Sequence, residues 1–121
     1  MEPTISNGEK VKAKVVAADK VQRGDIIVFT STIGENKRLL KRVVGLPRDT
    51  VTVANGYLLV TKPDKSTYKP FNDNNTPGNS TVTVNPNSFY VVGDNRTNSL
   101  DSRIESFGQV PFDALLSVVE E

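Results

Sequence analysis

Two features of this 121-residue sequence stand out as candidates to carry chemistry: Lys41 and the segment GDNRTNSLDSR, Gly93 to Arg103. In an extended chain Leu39, Lys41 and Val43 point to one face, and Arg38, Leu40, Arg42 and Val44 to the other. If the first face is the core, Lys41 is desolvated, which disfavours its ammonium form and lowers its pKa. A neutral lysine is a competent general base. The plainer alternative makes Lys41 an edge-strand gatekeeper, with its stem packed and its head in water. The later segment follows an apolar run and gathers Asp94, Asn95, Arg96, Asn98, Ser99, Asp101, Ser102 and Arg103. Such a loop packs as a self-satisfying hydrogen-bond network or stands as an ordinary solvated loop. A hard cation is the weaker reading, because the segment has two Asp and no EF-hand spacing.

Composition narrows the chemistry further. The sequence has no cysteine and no histidine, which removes thiolate zinc sites, Cys nucleophiles and every Ser-His arrangement. A nucleophile here must be Ser or Thr, with a Lys, a carboxylate or a terminal amine as its base. No metal or cofactor is expected. Fifteen basic against fourteen acidic residues give a net charge of +1, which argues against a nucleic-acid partner. No apolar run of membrane-spanning length occurs, and the opening MEPTISNGEK lacks a signal-peptide pattern. The length suits a single domain over residues 1–121.

The elements that must position these groups read as all-β, with frequent Val and Thr and no sustained helical period. Lys10 to Ala17 alternates Val11, Ala13 and Val15 with lysines, as a half-buried strand does. Asp25 to Thr30 reads as a strand buried on both faces, and Lys37 to Leu46 as a third strand. TVTVA and YLLVT flank Asn55-Gly56, the signature of a type I′ hairpin. The polar stretch from Pro63 to Ser80 reads as a mobile surface excursion that adds little core. Strands resume at Thr81 to Val84, Phe89 to Val92 and Leu115 to Val119, with helix confined to a turn near Pro111 to Ala114.

Four blocks, in order, resemble the type I signal peptidases, membrane-bound serine proteases that remove signal peptides from exported proteins. They are MEPT at Met1 to Thr4, RGDIIVF at Arg23 to Phe29, KRVVGLPRD at Lys41 to Asp49, and GDNRTNSLDSR. The resemblance implies a Ser–Lys dyad, which fits a sequence without histidine. It implies Lys41 as the general base and Ser99 as the serine that orients its amine. It implies a structural ion pair of Asp101 with Arg103, and by analogy a pairing of Arg42 with Asp94. Met1, Ile5, Val28, Leu39 and Leu40 match positions lining shallow pockets for the small residues of an Ala-x-Ala cleavage site. An extended substrate is then expected to add as a strand beside the site. The implied fold is the signal-peptidase arrangement of antiparallel sheets. The implied partners are signal peptides of pre-proteins and the cell membrane, reached through an N-terminal anchor. The domain is expected on the extracytoplasmic side, in a Gram-positive bacterium given the short excursion.

Two departures stand out. The family's nucleophilic serine immediately precedes the methionine, a position ahead of Met1, so the chain as given is expected to be inactive. Ser6, Ser99 and Ser102 do not follow the geometry of that box. Arg48 stands where the family usually has glycine, implying either a different turn or local strain. A competing function is a non-catalytic signal-peptidase-like factor that assists pilus or surface-protein assembly. Retention of Lys41 and Ser99 favours the enzyme. The related self-cleaving repressors also use a Ser–Lys dyad, but the GDNRTNSLDSR box and the lack of a basic patch argue against them.

Overall fold

The computed structural model describes residues 12–30, 38–72, 74, 76–94, 102–103 and 108–120. Ten strands are present among them: β1 (Ala13–Lys14), β2 (Ile26–Thr30), β3 (Arg38–Gly45), β4 (Thr50–Ala54), β5 (Tyr57–Thr61), β6 (Thr67–Tyr68), β7 (Ser80–Thr83), β8 (Ser88–Val92), β9 (Val110–Pro111) and β10 (Leu115–Val119). Single 3-10 turns cover Ala18–Lys20 and Phe112–Ala114. The strands form a six-stranded sheet in the order β1-β10-β2-β3-β8-β9 and a four-stranded sheet in the order β6-β5-β4-β7. All strand pairs are antiparallel.

Successive residues of β3 and β8 enter different cores. Val43, Phe89 and Val91 join Ile27 and Phe29 in the first core; Val44, Tyr90 and Val92 join Val51, Val53, Leu58 and Val60 in the second. A strand buried on both faces cannot alternate polar and apolar residues, which is why SFYVV reads as a continuous apolar run. Gly45 ends β3 where the second sheet comes closest. A Cβ there would lie 3.0–3.1 Å from Val51, Val84 and Tyr90. The Asn55-Gly56 turn has positive φ at both residues, 55° and 84°, as a type I′ hairpin requires.

Two expectations need correcting. Of the strand read over Lys10 to Ala17, only Ala13–Lys14 is strand among the described residues, paired with β10; Lys10 and Val11 lie outside the described residues. Val15 is 89% exposed; the alternation is present in the sequence, but nothing described covers its apolar side. The excursion after Pro63 does contribute to the core, since β6 pairs with β5 and Tyr68 and Phe71 pack on the second core. Thr76 within it is fully buried and donates its N–H to the Gly56 carbonyl at 2.9 Å. At Arg48 the local strain that the sequence allowed is present. Asp49 N–H donates to the Leu46 carbonyl at 3.0 Å across Pro47-Arg48, and Arg48 itself takes a φ of 73°. Proline second and a left-handed residue third are the pattern of a type II turn, whose third position favours glycine.

Two substitutions therefore act in opposite directions. Arg48→Gly is expected to stabilise by about 0.5–1 kcal/mol, the relief of left-handed strain less the greater freedom of an unfolded glycine. Gly56→Ala is expected to destabilise by more than about 1 kcal/mol, because the new Cβ would sit 2.1 Å from the Asn74 carbonyl oxygen. Denaturant midpoints of the two variants check both signs.

Candidate active site

The site begins at Lys41. In the β2–β3 ladder Lys41 stands opposite Ile27, and Leu39 opposite Phe29. Directly paired residues share a face, so Lys41 lies on the face that carries the first core, between Leu39 and Val43, and is half-buried. β3 lies between β2 and β8 in the order of the sheet, but at Lys41 itself the described ladder is with β2 alone. β2 pairs with β3 from Arg38 to Arg42, whereas β8 pairs with it from Arg42 to Gly45.

Arg42 points to the opposite face and makes a two-pronged contact with Asp94. Nε donates to Oδ1 at 2.8 Å and Nη2 to Oδ2 at 2.9 Å. Nη1 donates to the Gly24 carbonyl at 2.7 Å. The pairing inferred for Arg42 and Asp94 is thus present, and it fixes the point where the chain leaves β8. Ser102 fixes the point where it returns: its N–H donates to the Val91 carbonyl and its Oγ accepts from the Val91 N–H, both at 3.0 Å. Arg103 donates to the Pro77 carbonyl at 3.4 Å. Ser99 and Asp101 lie outside the described residues, as do Met1 and Ile5. The pocket candidates that are described fall on two faces. Val28 and Leu40 are a cross-strand pair opposite the Lys41 face, while Leu39 shares the Lys41 face and packs on the first core.

A second ion pair, not foreseen from sequence, closes the other end of β3. Asp49 is fully buried and accepts from Arg23 Nε at 2.8 Å and Nη2 at 2.7 Å, and from the Leu46 N–H at 2.9 Å. The Arg23 pKa is raised, first by the hydrogen bond to Asp49. Both residues lie in recognised blocks, but nothing in a sequence pairs charges that are 26 positions apart. Nearby, the Tyr68 hydroxyl donates to the Val44 carbonyl of β3. Among the described residues, no group of acidic side chains is placed to hold a metal ion.

The sequence model of the family described as "Signal peptidase, peptidase S26" matches residues 1–120. The chain belongs to that family. Among relatives in the peptidase S26 family, Signal peptidase I S of Bacillus subtilis (strain 168) is 35% identical over 115 residues, covering 85% of this chain and 61% of the relative. Signal peptidase I of Bacillus amyloliquefaciens is 34% identical over 116 residues, covering 85% and 60%. The chain therefore spans about three fifths of the length of these two relatives. The crystal structure of a signal peptidase I from Enterococcus faecalis V583 superposes with a TM-score of 0.68 at 30% identity, over 84% of this chain and 97% of that one. The antiparallel sheets described above are thus the signal peptidase I fold.

Within this S26 fold Tyr68 gives a pH signature. Burial, foremost, pushes its pKa up to about 12 from the ordinary phenol value of 10.0. A phenol whose pKa is higher folded than unfolded stabilises the fold while it stays protonated. That stability is complete below the unfolded value and is lost as pH rises through the folded one. The unfolding midpoint is expected to fall steeply between about pH 10 and about pH 12, and more shallowly in Tyr68→Phe. Urea titrations across that range measure the difference.

Proposed function

We propose that this domain is the catalytic part of a signal peptidase I, cutting signal peptides from exported pre-proteins after small residues of the Ala-x-Ala type. Lys41 is the general base. Its place on the core-facing side of β3, between Leu39 and Val43, is the observation that carries the reading. A structural lysine gains nothing from such a place, whereas a base needs desolvation to lose its proton near neutral pH. The nucleophile is the serine that stands before the methionine of the first box in the family, a position ahead of Met1. Lys41 Nζ takes the proton of that hydroxyl as the oxygen attacks the scissile carbonyl, and returns a proton to the leaving amine. Ser99 aims the amine by a hydrogen bond, and Asp101 with Arg103 shapes the segment around it. The Arg42–Asp94 pair supports this by tethering the start of that segment directly to the strand of Lys41.

Met1, Ile5, Val28, Leu39 and Leu40 form the apolar walls that select small side chains by excluding bulk, a discrimination of one to a few methylene groups. Substrate lies extended along β3, main chain against main chain. The domain works at the extracytoplasmic face of the cell membrane of a Gram-positive bacterium, a setting consistent with the Bacillus relatives.

The test uses a pre-protein ending in Ala-x-Ala. The 121-residue polypeptide is expected to give no product, and a version with serine placed before Met1 is expected to cut at the Ala-x-Ala site. In that version Lys41→Ala and Lys41→Arg should both abolish turnover, because a guanidinium stays charged and cannot accept the proton. Ser99→Ala should slow it about tenfold to a thousandfold, as when a base loses its orienting partner. Wild-type-like activity in Lys41→Arg would refute the assignment of Lys41. Absence of cleavage in the serine-restored protein would favour a non-catalytic factor.

A further inference from the structure

We propose that Asp49 is a positioning residue for Lys41, acting through Arg23 and the Gly24 carbonyl; the proposal rests on Lys41 being the general base. Asp49 is fully buried, and its carboxylate takes three N–H donors, two from Arg23 and one from the Leu46 backbone. A carboxylate at that depth is tolerated only with such partners, so the Arg23 side chain is held in one place. Arg23 opens the turn whose next residue, Gly24, accepts from Arg42 Nη1 at 2.7 Å. The same turn grips the strand by its backbone. Gly24 N–H donates to the Val43 carbonyl at 2.7 Å, and Val43 N–H to the Asp25 carbonyl at 2.8 Å. The two residues that follow Lys41 are therefore both fixed to a turn that Asp49 anchors. Arg42 then passes the constraint to Asp94 by its two-pronged contact, at the mouth of the segment that contains Ser99. The line Asp49–Arg23–Gly24–Arg42–Asp94 joins the junction of the two sheets to the strand at the two residues directly after Lys41.

A purely structural ion pair would make a different prediction. Buried pairs are often replaced by apolar residues with no loss of fold, and such a swap would leave Lys41 unaltered. The readout is the titration midpoint of Lys41 in the 121-residue chain, followed by NMR with lysine labelled at the ε-carbon. Lys41→Arg identifies the resonance. In Asp49→Asn the loosened turn admits water to Lys41, and its midpoint is expected to rise at least half of the way to that of an exposed lysine. The sign is diagnostic. Loss of a negative charge, leaving Arg23 uncompensated, acts on a nearby lysine in the opposite direction. An unchanged or lowered midpoint in folded Asp49→Asn overturns the proposal. If that variant does not fold, Arg23→Lys, which retains the charge and loses the fork, decides by the same criterion. A folded Arg23→Met/Asp49→Leu double variant with the wild-type midpoint would also overturn it. A wild-type Lys41 that titrates like an exposed lysine would instead remove the general-base assignment, and this proposal with it.

Discussion

Strand β3 passes between two apolar cores while carrying adjacent cations, and the rest of the molecule is arranged around that conflict. Val43 and Val44 are fully buried on opposite faces, so the strand enters both cores immediately after Arg42. The guanidinium is met by the Asp94 carboxylate and the Gly24 carbonyl. These are charge-assisted bonds, whose directionality fixes geometry as well as energy. One residue earlier Lys41 has the opposite face, and its burial there is partial. The same strand thus sends its two adjacent cations to opposite faces, Arg42 to Asp94 and Lys41 to the face of the first core. Removing the acceptors of the first would leave a desolvated guanidinium, which is costlier than never having buried it.

Much of this arrangement was legible in the sequence where local chemistry dictates it. The Asn-Gly hairpin and the continuous apolar run of β8 each follow from residues next to one another. Lys10 to Ala17 was misleading because alternation reports a face suited to burial, and only tertiary packing decides whether anything covers it. The stretch from Pro63 to Ser80 was misread for the opposite reason. Its polar composition hides Tyr68, Phe71 and Thr76, which attach it to the second core by a phenol, a ring and a backbone N–H. β9 is two residues long and contains Pro111, too short for any periodic signal. At the site, Lys41 was visible from strand alternation, and the Arg42–Asp94 pair only through family resemblance. The Arg23–Asp49 pair was invisible. Its members are separated by 26 positions and meet because β3 and the turn after it bring the two sheets together.

A small detail at the rim of the four-stranded sheet bears on how copies of this protein coexist. Among the described residues β7 is an edge strand, and edges offer free peptide groups to any passing chain. The side-chain amide of Gln109 donates to the Thr83 carbonyl at 3.3 Å and accepts from the Asn85 N–H at 2.7 Å. A donor and an acceptor satisfied on residues two apart are what one residue of a parallel neighbouring strand would supply. Gln109 is therefore a stand-in strand one residue long. It occupies the end of the edge from which a foreign ladder could otherwise propagate, and so favours solubility at high local concentration over the growth of intermolecular sheet.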